Sequence, residues 1–249
     1  MVRAPQPARL NWQLGKVLEL VDETPRAKSI IVELPAWPGH RAGQHVDVRL
    51  TAPDGYQAQR SYSIASGPGD QHLALTVERL EDGEVSPYLV DELRPGDELE
   101  LRGPIGGYFV WDGSRGGPLL LVAGGSGIVP LRSMLRDWAA AASTVAVRLL
   151  YSSRSLIEVI YRDELLRYGA DDEADIRFAL TREWPQDWRG YRGRIDRQLL
   201  AEAAWPPQEH PLVYVCGPTA FVETVAGGLV ESGHHPSRIK TERFGPTGT

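Results

Sequence analysis

Apolar and polar positions in the first half of the chain alternate over short runs. His45-Val-Asp-Val-Arg-Leu50 is apolar at every second residue, the period of a half-buried strand. Val17–Val21, Ser29–Leu34, His45–Leu50, Ser61–Ala65, Leu73–Arg79 and Glu98–Leu101 each predict a strand. Between them stand turn-forming residues: Pro25, Pro35, Pro38-Gly39, Asp54-Gly55, Gly67-Pro68-Gly69 and Pro95-Gly96-Asp97. Six strands at this spacing predict a closed antiparallel barrel. Ser86–Leu93 is the only helical segment expected there.

The period changes after Val110. Pro118–Ala123 is a continuous apolar run, as in a strand buried on both faces, and a helical pattern follows from Ile128 to Ala140. Strands are expected at Val145–Tyr151, Ile176–Thr181, Leu212–Val215 and Ile239–Phe244. Helices are expected at Tyr161–Tyr168, Arg197–Ala203 and Phe221–Ser232. Strands alternating with helices predict a doubly wound parallel sheet. The run Asp112-Gly-Ser-Arg-Gly-Gly-Pro118 has a linker's composition, which divides the chain into domains 1–113 and 114–249.

Composition narrows the function. The 249 residues are 42% hydrophobic and carry a formal net charge of −6, so a general nucleic-acid binder, which needs a basic face, is not expected. No apolar run reaches the roughly 20 residues that span a bilayer, and Met1–Arg9 has no apolar core of the kind a signal peptide needs. A cytoplasmic protein is the expectation. The only cysteine is Cys216, which rules out an internal disulfide and a cluster held by four thiolates. The six histidines have no metal-binding spacing and are expected at the surface.

Several short motifs carry candidate chemistry. Arg60-Ser61-Tyr62-Ser63 offers a planar guanidinium suited to phosphate, with Arg60 and Tyr62 on one face of a strand and Ser61 and Ser63 on the other. Thr76-Val77-Glu78-Arg79 leads through Gly83-Glu84-Val85-Ser86 into a helical run; a turn before a helix leaves amides free for an anion. Gly124-Gly125-Ser126-Gly127 joins a strand to a helix with Pro130 near its start, an arrangement that admits a dinucleotide phosphate. Thr181-Arg182 follows the domain's third strand, and Arg154 follows its second. Cys216 ends the fourth strand, where doubly wound sheets bind ligands. Glu242-Arg243-Phe244 stands near the C-terminus.

In this order the motifs resemble the ferredoxin–NADP reductase family of flavoproteins, and Gly103-Pro104-Ile105-Gly106-Gly107-Tyr108-Phe109 is similar to that family's Gly-Pro-x-Gly-x-Phe segment. The resemblance implies FAD on the barrel. Arg60, Gly83, Val85 and Ser86 would lie at its pyrophosphate, Tyr62 at the ring and Ser63 near flavin N5, with Val77 also among the residues that bind the cofactor. It implies a nicotinamide coenzyme on Gly124, Gly125, Ser126 and Gly127, with Cys216 and Glu242 as catalytic residues beside nicotinamide C4. Thr181 and Arg182, assisted by Arg154 and by Arg192 or Arg194, would favour NADPH, with NADH possible. Phe244 would cover the flavin, although the family often ends on a tyrosine and this chain continues to Thr249. The implied activity passes hydride from nicotinamide to flavin, and then electrons to an external acceptor. That acceptor could be a ferredoxin, a flavodoxin, a quinone, oxygen or a monooxygenase component. An electron-transfer subunit of a larger complex and a non-catalytic FAD-binding module are the alternatives.

Overall fold

The computed structural model describes residues 10–170 and 174–245. The first six strands are β1 (Gln13–Thr24), β2 (Ala27–Glu33), β3 (His45–Thr51), β4 (Gln57–Ser63), β5 (Leu73–Glu78) and β6 (Glu98–Ile105). They form one antiparallel sheet in the order β4-β3-β6-β1-β2-β5. An antiparallel bridge between Ile64 and Leu75 joins the two edge strands, and the Ala65 N–H donates to the Ala74 carbonyl at 2.7 Å. The sheet is thus closed, and its exposed edges are largely abolished.

Alternation fills the barrel. Val17, Ile30, Val32, Val46, Val48, Leu75, Val77, Leu99 and Leu101 point inward and are buried. Val85, Leu89 and Leu93 join them from the connection between β5 and β6, where one helical turn, Tyr88–Glu92, occupies the expected helical segment. β1 is longer than its apolar run predicts, and two irregularities in its pairing with β2 bend it around the barrel.

The remaining strands are β7 (Leu119–Gly124), β8 (Val147–Ser153), β9 (Asp175–Leu180), β10 (Tyr191–Arg192), β11 (Leu212–Pro218) and β12 (Ile239–Phe244). They form a second sheet, all parallel, in the order β10-β9-β8-β7-β11-β12. Helices α1 (Ile128–Ala140), α2 (Arg162–Ala170), α3 (Arg197–Ala203) and α4 (Thr219–Glu231) connect them. The chain leaves β7 towards β8 on one side and returns to β11 on the other. A crevice therefore opens at the carboxyl ends of β7 and β11, the switch point at which such sheets bind ligands.

Four expectations need correction. β4 runs from Gln57 to Ser63 rather than from Ser61 to Ala65. β8 runs two residues further than its apolar pattern, because Ser152 and Ser153 are buried strand residues. β10 was not expected, being only two residues long. The histidines are not all on the surface: His234 is buried, and His40, His45 and His72 are partly buried. Burial pulls His40 and His234 below the ordinary imidazole pKa. Imidazole is apolar enough to pack when one ring nitrogen finds a partner, as His40 Nε2 does at 3.0 Å from the Ser66 carbonyl.

The outside of the barrel is seated on α1 and on the connection before α2. Small outward residues of β2 and β5, Ala27 and Ala74, share one core with Val129, Ile160 and Tyr161 of the α/β half. Polar contacts fasten this seat. The Ser133 hydroxyl donates to the Ser66 carbonyl at 2.7 Å, the Tyr214 hydroxyl to the Val110 carbonyl at 2.7 Å, and the Tyr161 hydroxyl to Thr76 Oγ1. Tyr161 has a φ of 60°, which costs about 1–2 kcal/mol for a residue with a side chain. Its ring lies beneath the Arg132 guanidinium, 4.1 Å from centroid to carbon. Arg132 and Arg136 both bind Glu164, at 2.7 and 2.8 Å, and Arg136 also reaches Asp70 of the barrel at 2.7 Å. Burial works to raise the Glu164 carboxyl, but Arg136 and Arg132 outweigh it and hold it below its ordinary value. Among the described residues no helix is long and apolar enough to cross a membrane.

Glu164→Ala should leave Arg132 buried without a counter-charge and lower the unfolding free energy by about 3 kcal/mol. Asp70→Asn removes only a partly exposed partner and should cost at most about 1 kcal/mol. Urea denaturation of both variants checks this ranking; equal losses would contradict it.

Candidate functional site

The crevice is built by backbone packing. β7 ends at Gly124, a single tight turn spans Gly125–Gly127, and α1 begins at Ile128. No side chain caps the helix start; the Ile128 amide donates to the Gly125 and Ser126 carbonyls and Pro130 has no N–H, so what the start of α1 offers an anion is chiefly the positive end of its dipole. Gly125 has a φ of 55°, a conformation that glycine adopts without cost. Gly127 lies against the peptide joining Cys216 to Gly217, and a Cβ at this position would overlap the Cys216 carbonyl. The glycine-rich turn and the Cys216-Gly217-Pro218 segment thus form one surface.

Cys216 and Glu242 are register partners on β11 and β12. The thiol donates to Glu242 Oε2 at 3.9 Å. Burial raises the Glu242 carboxyl from an ordinary 4.5 to about 7, against the hydrogen bond from Cys216. Burial, followed by the neighbouring carboxylate, pushes the Cys216 thiol well above its usual range. It is a neutral thiol at physiological pH, suited to packing rather than nucleophilic attack. Phe244 is partly buried, pairs with Pro218 across the two strands, and packs against the core shared by the two halves.

On the barrel side, Arg60, Tyr62 and Ser63 lie on β4. Tyr62 packs against the barrel core, and burial pushes its hydroxyl up to about 12 against the opposing charge of Arg60. Ser63 is buried opposite His45, and its hydroxyl has no hydrogen-bond partner among the described residues. The Arg60 guanidinium pairs with Glu84 at 2.6 Å. Gly83 and Ser86 shape the turn after β5, with Ser86 Oγ accepting from the Leu80 N–H at 3.1 Å. The Val77 and Val85 side chains point into the barrel core, so only their backbones can face a ligand. Glu78, which ends β5, approaches Gly125, with its carboxylate 3.8 Å from where a Cβ would stand. The end of β5 and the glycine-rich turn therefore border one cleft. No hydrogen bond links Ser63 to Cys216 or Glu242 among the described residues.

A second group lies at the ends of β8 and β9. The Thr181 N–H donates to the Ser153 carbonyl at 2.9 Å, and the Arg182 N–H to the Arg154 carbonyl at 2.9 Å, so Arg154 and Arg182 are neighbours. Arg154 reaches Glu158 at 3.7 Å. Arg182 is exposed and has no ion pair among the described residues. β10 brings Arg192 beside Leu180, where its guanidinium lies 5.5 Å from the Trp184 ring. Sequence reasoning missed Trp184, although an aromatic two residues after Arg182 could have marked it.

A closed barrel whose β5 end adjoins a glycine-rich switch point is the arrangement of a two-domain nucleotide-binding protein. Comparisons agree. The model of the oxidoreductase FAD-binding domain matches residues 32–110, and that of the oxidoreductase NAD-binding domain matches residues 121–227. The chain is 39% identical over 195 residues to ferredoxin–NADP reductase B of Sorangium cellulosum, covering 74% of this chain and 76% of that protein. It is 30% identical over 246 residues to the glycine betaine monooxygenase reductase subunit of Pseudomonas aeruginosa, covering 95% of this chain and 66% of that longer protein. In structure it resembles the flavohem-like FAD/NAD-binding domain of nitric oxide dioxygenase from Vibrio cholerae, with a TM-score of 0.85, 26% identity and coverage of 94% and 99%. The chain belongs to the ferredoxin–NADP reductase-like family of FAD- and NAD(P)-binding oxidoreductases.

Because the Glu242 pKa is raised in the fold, the native state holds that proton more tightly than the unfolded chain does. Its contribution to stability is full below pH 4.5 and is lost as pH rises through about 7. Glu242→Gln should therefore gain on the wild type between pH 5 and pH 8, by on the order of 3 kcal/mol. Denaturant titrations at the two pH values measure the difference; a constant gap would mean that Glu242 is not desolvated.

Proposed function

We propose that this chain is an FAD-dependent NAD(P)H oxidoreductase that passes reducing equivalents to a separate acceptor. The observation that carries the proposal is the interlocked surface of Gly127 with Cys216-Gly217, set beside the end of the FAD-binding barrel. The division of labour falls at residues 113 and 114, in the short connection between β6 and β7, with flavin held by the first part and nicotinamide coenzyme by the second.

The chemistry supplied by FAD, when bound, is acceptance of a hydride from reduced nicotinamide and release of its electrons singly or in pairs. The protein's own residues bind and align. Arg60, with the amides of Val85 and Ser86, holds the flavin pyrophosphate, and Gly83, whose own N–H donates to the Leu80 carbonyl, shapes the turn that presents them. Tyr62 and the Val77 backbone contact the ring, and the free Ser63 hydroxyl offers a donor at its N5 edge. Gly124, Gly125, Ser126 and Gly127 hold the coenzyme's pyrophosphate at the start of α1. Cys216 and Glu242 orient the nicotinamide, and Phe244 shields the ring from water. The neutral thiol acts by position, which is worth most when the reacting atoms are already aligned.

Thr181 and Arg182, with Arg154 and Arg192 beside them, favour the 2′-phosphate of NADPH over NADH. The acceptor is a ferredoxin or an oxygenase component carried on another chain, in keeping with the similarity to a ferredoxin–NADP reductase and to a monooxygenase reductase subunit. Work in the cytoplasm suits a consumer of reduced nicotinamide.

Arg182→Ala should raise KM for NADPH by roughly tenfold, the loss of one charge-assisted phosphate contact, and leave KM for NADH unchanged. Equal changes for both coenzymes would remove Arg182 from the 2′ site. Cys216→Ala should slow anaerobic flavin reduction in stopped flow by more than it weakens coenzyme binding. Wild-type reduction rates in both Cys216→Ala and Glu242→Ala would make these two residues structural. An anaerobic screen of ferredoxins, flavodoxins and quinones identifies the acceptor, and no turnover with any of them alongside slow reaction with oxygen would count against a reductase.

A further inference from the structure

Arg60 is already engaged by the protein. Its Nη2 donates to Glu84 Oε2 at 2.6 Å, and its Nη1 donates to the Gln59 carbonyl at 2.7 Å. The other oxygen of Glu84 accepts from the Tyr56 hydroxyl at 2.9 Å. All three side chains are more than a third exposed, so none is locked by packing. Glu84 also belongs to the turn Gly83–Ser86, whose Val85 and Ser86 amides are assigned to the pyrophosphate. A phosphate seated on both Arg60 and that turn would meet the Glu84 carboxylate at close range, where like charges repel.

We propose that Glu84 is a resident competitor for the flavin pyrophosphate: its carboxylate holds Arg60 until FAD arrives, and then moves onto Tyr56 alone. The exchange is balanced, since one ion pair to Arg60 is broken as another is made. Tyr56 gives the displaced carboxylate a donor that carries no charge, which spares it a return to bulk water. The consequence is a tuned, reversible hold on FAD rather than the tightest hold this site could have. The inference rests on the assignment of Arg60 to the pyrophosphate.

Fluorescence titration of the flavin-free full chain with FAD tests both layers. Glu84→Gln should lower the Kd for FAD by about tenfold, because the guanidinium no longer has to leave a carboxylate. Salt gives an independent readout. Exchange of one ion pair for another makes the wild-type affinity only shallowly dependent on ionic strength, whereas in Glu84→Gln the phosphate contact forms on an uncommitted guanidinium and should weaken more steeply with salt. In an Arg60→Ala background the gain from Glu84→Gln should shrink to about twofold or less. Tyr56→Phe should weaken FAD binding two- to fourfold. An unchanged or weaker affinity in Glu84→Gln, with the fold intact by circular dichroism, overturns the proposal and makes Glu84 a support for Arg60. An Arg60→Ala variant that binds FAD as the wild type does overturns the pyrophosphate assignment instead.

Discussion

The structure depends on one close approach: the first turn of α1 against the peptide that follows Cys216. Only a residue without a Cβ fits at position 127. That contact brings the positive end of the α1 dipole beside the end of β11, at the point where the sheet reverses its strand order. Everything assigned to the coenzyme follows from it. Glycine there costs conformational entropy relative to alanine, and the close backbone packing depends on the space it leaves.

The second constraint is the seat between the two halves. It uses small outward residues on β2 and β5 and the bridge from Arg136, itself held by Glu164, to Asp70 of the barrel. The Ser133 and Tyr161 hydroxyls add hydrogen bonds across the same seat. Directional contacts of this kind favour a particular docking of the halves over sliding alternatives. A flavin ring and a nicotinamide ring exchange hydride only when they meet face to face, so a defined docking serves the chemistry directly.

Charge is distributed to match these duties. Arginines gather at the ends of β8 and β9, where a phosphorylated ribose would lie, and Arg60 waits on the barrel rim. Carboxylates stand close to both proposed anion sites: Glu84 on Arg60 and Glu78 near Gly125. Glu242 is different, since its burial leaves it close to half-protonated at neutral pH. It can therefore sit beside Cys216 without imposing a full charge on the cleft.

Much of this was legible in the chain. Short apolar runs between turn residues marked the six barrel strands, most cleanly at His45–Leu50, although β4 begins four residues before the run Ser61–Ala65 that stood for it. The α1 range and the last strand, Ile239–Phe244, matched their patterns residue for residue. Strand β8 was misjudged by two residues, since buried Ser152 and Ser153 carry a polar signal that only packing on both faces overrides. Local pattern reads what each residue buries, and glycine motifs read where the backbone must pass closely. Neither reads partners far apart in sequence. That Cys216 lies opposite Glu242, that Arg60 is held by Glu84, that Trp184 and Arg192 flank Arg182, and that Tyr161 reaches Thr76 were decided only by tertiary structure. Those pairings arise from sheet register and from the docking of two domains, and long-range geometry of that kind is encoded in no single stretch of sequence.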